Sequence, residues 1–132
     1  ANVADVRARQ QECLALVQPE SLLSSGTILS AAESLAKTDR GEETLTWLTR
    51  WIRDLVIVIV DGDHDQLLHL DHITDLRRYA QRADIDALLT LLNDIERTEQ
   101  QATRHLNLQM ALETTFLRLR EALGLVPAGA AT

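Results

Sequence analysis

The stretch Leu45-Thr-Trp-Leu-Thr-Arg-Trp-Ile-Arg-Asp-Leu-Val-Ile-Val-Ile-Val60 decides how this chain folds. Leu45, Leu48, Ile52, Leu55 and Ile59 step by three and four, the spacing that lines up five apolar side chains on one face of a helix. Trp47, Trp51 and Val58 fall on an adjoining face. The closing run Val56–Val60 is entirely β-branched, and propensity alone would make it a strand. Helical placement of those five residues costs about 2–3 kcal/mol relative to good helix formers. Burying each of them returns roughly 1.5–3 kcal/mol. The 3,4 phase runs through without a break and no other segment offers a convincing partner strand, so the helix wins. A helix that is apolar all round needs cover all round, which predicts a central position for it.

Upstream, Val3, Val6, Gln10, Cys13, Leu14 and Val17 predict a lead-in helix over residues 1–17. Pro19 suits the first turn of the next helix, where its missing N–H costs nothing. That helix uses Leu22, Leu23, Leu29, Ala32, Leu35 and Ala36, with a break expected near Ser25-Gly26, and Thr38 to Gly41 reads as a turn. Downstream, Asp61-Gly62-Asp63-His64-Asp65 ends the central helix, with Gly62 suited to a left-handed closing position. A shorter helix follows through Leu67, Leu70, Ile73, Leu76 and Tyr79 or Ala80, then another through Ile85, Leu88, Leu89, Leu92 and Ile95. Asn107 is placed to cap the last helix, which carries Leu108, Leu112, Phe116, Leu119 and Leu123 until Gly124 and Pro127 stop it. The expectation is an all-α fold: a single compact bundle of five to six helices over residues 1–127, with a loose tail at 128–132.

Composition narrows the function classes. The 132 residues have room for one domain. Leucine (24) and alanine (16) replace the aromatics, which make up only 3%, and five glycines with two prolines are too few for turn-rich β folds. One cysteine, Cys13, excludes an internal disulfide and fits a reducing, cytoplasmic setting. A net charge of −7 disfavours direct contact with nucleic acid, because phosphate backbones would be repelled. Leu55–Val60, the longest purely apolar run, is far short of a membrane span. The chain opens at Ala1, without Met and already within a helical pattern, as expected of a piece cut from a longer protein.

Catalytic constellations are hard to assemble. Asp61, Asp63 and Asp65 mimic the opening of an EF-hand, but Gln66 stands where glycine is needed and His72 where a bidentate Glu is needed. His64, His69 and His72, with Asp65, Asp71 and Asp75, form the densest set of possible ligands, and His64-Asp65 matches the dipeptide of HD-type metal phosphohydrolases. Such a site needs a further histidine upstream, and the first 63 residues hold none. A small helical metal-dependent hydrolase built on His64, His69, His72 and Asp75 is therefore the alternative reading, and solvated helix-end histidines the main one. Ser24-Ser25-Gly26 lacks the nucleophile-elbow pattern, and no phosphate-cradling glycine loop accompanies Lys37. No catalytic residue, metal or cofactor is expected. The residues read as a helical interaction module, a generic adaptor at minimum.

Three segments resemble the C-terminal domain of the delta-prime subunit of the bacterial DNA polymerase III clamp loader. They are Asn107-Leu-Gln-Met-Ala-Leu-Glu-Thr-Thr-Phe-Leu-Arg118, Leu45-Thr-Trp-Leu-Thr-Arg-Trp-Ile-Arg-Asp-Leu55, and the register of the Leu-rich helix ending Tyr79-Ala80 followed by Leu88–Arg97. The opening Arg9–Leu16 is similar to the family's domain-joining helix, and the Val56–Val60 run is more apolar than the family's pattern. The resemblance implies a clamp-loader collar domain that holds the subunit ring together and is itself non-catalytic. It implies gamma/tau and delta collar domains as partners, and a parent complex, the polymerase III holoenzyme, that is a nucleotidyltransferase. It also implies an N-terminal AAA+ part outside this sequence. Trp47, Trp51, Arg118 and Arg120 are then the candidate interface residues.

Overall fold

The computed structural model describes residues 3–60, 73–100 and 107–126, and among these no strand occurs. Seven helices follow one another: α1 (Val3–Leu16), α2 (Pro19–Leu22), α3 (Ser25–Ala36), α4 (Arg40–Ile59), α5 (Ile73–Ala80), α6 (Ile85–Gln100) and α7 (Leu108–Ala122). The count exceeds the expected five to six because the second segment does break. Pro19 starts a single turn, and Ser24 then caps a new helix, its Oγ accepting from the Thr27 N–H at 3.1 Å.

Residues 45–59 are helical throughout, within a helix that starts five residues earlier than its apolar stripe. It lies against α1, α3, α5, α6 and α7. Leu48, Trp51, Ile52 and Leu55 are completely buried in a core shared with Leu76, Leu88, Leu112, Phe116 and Leu119. Cover stops there: Val56 to Ile59 are half-buried and Val60 is 60% exposed, so the last turn lacks the all-round burial that its composition predicts. The sequence at Thr38–Gly41 reads as a turn, but Gly41 is buried inside the first turn of α4. A Cβ there would come within 2.6 Å of Leu108 Cδ2 and 3.0 Å of the Leu35 carbonyl oxygen, so the glycine lets α4 approach α7.

Two helices keep most of their expected faces but each departs from it at one leucine. In α3 the buried pair is Ile28 and Ala32, while Leu29 is exposed. In α6 the buried residues are Leu88, Leu91 and Ile95, while Leu89 is exposed. Both helices are apolar over more than one stripe, and packing against α4 and α7 selects between faces that periodicity leaves equivalent. Helix ends are fixed by short-range polar contacts. Asp84 Oδ1 accepts from the N–H groups of Asp86 (3.0 Å) and Ala87 (3.3 Å), capping α6. Gly124, at φ 75°, closes α7, with Gly124 N–H bonded to Glu121 O and Leu125 N–H to Arg120 O. Asn107 holds the position before α7, but its side chain makes no capping bond. Gly62, the Asp61–Asp65 stretch, Leu67, Leu70, Pro127 and the tail lie outside the described residues.

Candidate functional site

One turn apart on the same side of α4, its two tryptophans lie at different depths. Trp51 is completely buried, stacked on Trp47 (centroids 6.2 Å apart, planes at 16°) and edge-on to Tyr79 at 5.6 Å and 79°. Its Nε1 has no hydrogen-bond partner among the described residues, so its contribution is packing. The Tyr79 hydroxyl donates to the Val17 carbonyl at 2.5 Å, joining α5 to the chain just beyond α1. Burial pushes the Tyr79 phenol well above its ordinary range, Asp75 and Glu20 add to the shift, and Arg78 opposes it. Trp51 is thus a core residue of this chain. Trp47, half-buried, is the ring that reaches the surface.

There it lines a groove of about 260 Å³ between α1 and α4, together with Val6, Arg9, Cys13, Arg40 and Arg50. The α1 wall is unusual. No residue of α1 is buried, and Val3 and Val6 are 70% and 43% exposed. Two ion pairs hold it to α4, Arg9 Nη1 to Glu43 Oε1 at 2.9 Å and Arg40 to Glu12. Leu14 and Leu16, half-buried, pack on the core, and Val17 beyond them is part of it. Cys13 is half-buried in the same wall. Desolvation raises its thiol pKa, Glu43 raises it further and a hydrogen bond with Thr44 works against both. Arg50 is exposed and makes no ion pair among the described residues. A tryptophan floor with arginine edges has the composition of protein-binding hot spots, and no nucleophile–base pair is assembled here.

The other candidates fall elsewhere. Arg118 is exposed and pairs with Asp94 of α6. Arg120 Nη1 donates to Ser25 Oγ at 3.2 Å and lies 3.5 Å from the Leu22 carbonyl oxygen, tying α7 to α2 and α3. Of the four candidate interface residues, only Trp47 and Trp51 come together. Arg9, Arg40 and Arg50 were not singled out from the sequence, although Arg50 sits three residues from Trp47 on α4 and so shares its side of the helix. His64, His69 and His72 lie outside the described residues. Asp75 is half-buried in the first turn of α5. Among the described residues no group of three or more His, Cys, Asp or Glu is arranged to hold a metal ion, and no helix is long and apolar enough to cross a membrane.

The sequence pattern gives Asp54, within the segment Leu45–Leu55, no site role. Asp54 is completely buried on α4 between Trp51 and Leu55, where the apolar pattern gives no warning of a charged group. Compared with known proteins, residues 4–121 match the model of a family described as DNA polymerase III, delta subunit, C terminal. No curated protein and no solved structure matches.

Proposed function

The chain belongs to the family formed by the C-terminal domain of the DNA polymerase III delta subunit, and from that premise we propose that it is the oligomerisation, or collar, domain of a clamp loader. The observation that carries this reading is the reach of the match. Residues 4–121 take in nearly all of α1 to α7, so the likeness is to the whole helical bundle and not to one motif. The family's description says delta; within it we place the chain in the delta-prime position, on the strength of the segments Leu45–Leu55 and Asn107–Arg118. On this reading the domain works by helix packing against the gamma/tau and delta collar domains in the cytoplasm, without catalysis and without touching DNA. A chain of net charge −7 suits a part of the loader that stays clear of phosphate.

Size-exclusion chromatography tests the proposal. The chain alone elutes as a monomer or weak associate, and mixed with gamma/tau and delta subunits it moves into a stable larger species. Elution as the free chain in every mixture overturns it.

A further inference from the structure

We infer that the groove between α1 and α4 is the seat of an acidic amphipathic helix supplied by a neighbouring member of the clamp-loader ring, a step that rests on the oligomerisation reading above. The first support is exposed apolar surface in line with a groove. Val3 and Val6 continue the stripe that ends in Cys13, and the same groove is floored by Trp47. From Val6 to Cys13 is seven residues, about 10 Å of helix axis, or two turns. An occupant helix of that length presents apolar anchors at i, i+3 or i+4, and i+7, the spacing of helix-in-groove recognition.

Charge supplies the second support. Three arginines and one glutamate, Glu43, line the groove of a chain whose net charge is −7. Arg9 and Arg40 are used in holding α1 to α4, which leaves Arg50 at the edge with no carboxylate of its own among the described residues. A carboxylate beside the occupant's apolar face completes that arginine. Groove-to-groove pairing of two copies would instead set Arg50 near its own equivalent, since a two-fold interface repeats the same patch on both sides.

The test uses the chain mixed with full-length gamma/tau and delta subunits. The double variant Val6→Asp/Arg50→Glu changes two exposed side chains and leaves the core intact, which an unchanged melting temperature checks. It is expected to bind the partner subunits at least tenfold more weakly, while Thr114→Glu on the exposed face of α7 stays within twofold of the parent. Cys13, the chain's one cysteine, gives a second readout: its alkylation by iodoacetamide slows at least tenfold in the complex. A complex that forms with unaltered affinity in the double variant, or that leaves Cys13 reacting at its free rate, overturns the inference while the oligomerisation reading stands. A parent chain that enters no complex overturns that reading and the inference with it. Self-association abolished by Val6→Asp/Arg50→Glu makes the occupant a second copy and also overturns the inference.

Discussion

α1 and α4 are both written with apolar residues three and four apart, yet α4 buries eight residues and α1 none. Periodicity states which face of a helix seeks cover; it does not state what provides the cover. For α4 the chain provides it, with α3, α5, α6 and α7 wrapped around Leu48 to Leu55. For α1 the described residues provide little beyond Leu14 to Val17, and two half-exposed ion pairs hold the rest in place. Core burial is worth roughly 1.5–3 kcal/mol per large side chain, whereas a solvent-exposed ion pair contributes about 0–1 kcal/mol. The two helices should therefore differ sharply in what a substitution costs.

The sharpest contrast is between Trp51 and Val6. Trp51→Ala removes a fully buried ring and is expected to cost about 3–5 kcal/mol in urea unfolding followed by far-UV circular dichroism, against less than about 0.5 kcal/mol for Val6→Ala. Equal losses at the two sites would erase the distinction. An intermediate effect is expected at the joint between the regions. Tyr79→Phe deletes the hydroxyl that reaches Val17 and should cost about 1 kcal/mol.

The same residue gives a pH signature. Because the folded state raises the Tyr79 phenol above its unfolded value near 10, its contribution to stability is complete below that pH and falls away as the pH rises further. The unfolding midpoint should drop in alkali, and less steeply in Tyr79→Phe. Cys13, whose thiol is also shifted upward, adds loss of the same sign that Tyr79→Phe leaves in place. A parallel decline in parent and variant would detach Tyr79 from the effect. The smallest change is expected at Arg9 and Glu43. A double-mutant cycle to alanine should show coupling of about 0.2–1 kcal/mol, fading as salt is raised toward 1 M. Coupling that survives high salt would mean that α1 is held more firmly than its exposure implies.

Much of the bundle was legible because its signals are local. The 3,4 phase of Leu45 to Ile59 outweighed β-branched propensity, Pro19 marked a start, Ser25-Gly26 marked the break that follows, and Gly124 ended α7. What escaped depends on partners far along the chain. The close approach at Gly41 is set by Leu108, the role of Tyr79 by Val17, and the choice between Leu89 and Leu91 by what α6 packs against. The groove was half legible. Trp47 was singled out by its chemistry, but Arg9, Arg40 and Arg50 become neighbours only once α1 lies along α4. Trp51 and Trp47 carried the same expectation from sequence, and the turn between them assigns one to the interior and the other to the groove.

The chain has only two tryptophans and one tyrosine, and all three meet in one cluster, with Trp51 between Trp47 and Tyr79. Its intrinsic fluorescence therefore arises at a single place, the corner where the end of α1 meets α4 and α5. Light absorbed by Tyr79 is passed to an indole 5.6 Å away, and the outermost emitter, Trp47, faces the groove. The molecule thus carries a label-free optical reporter of events along α1.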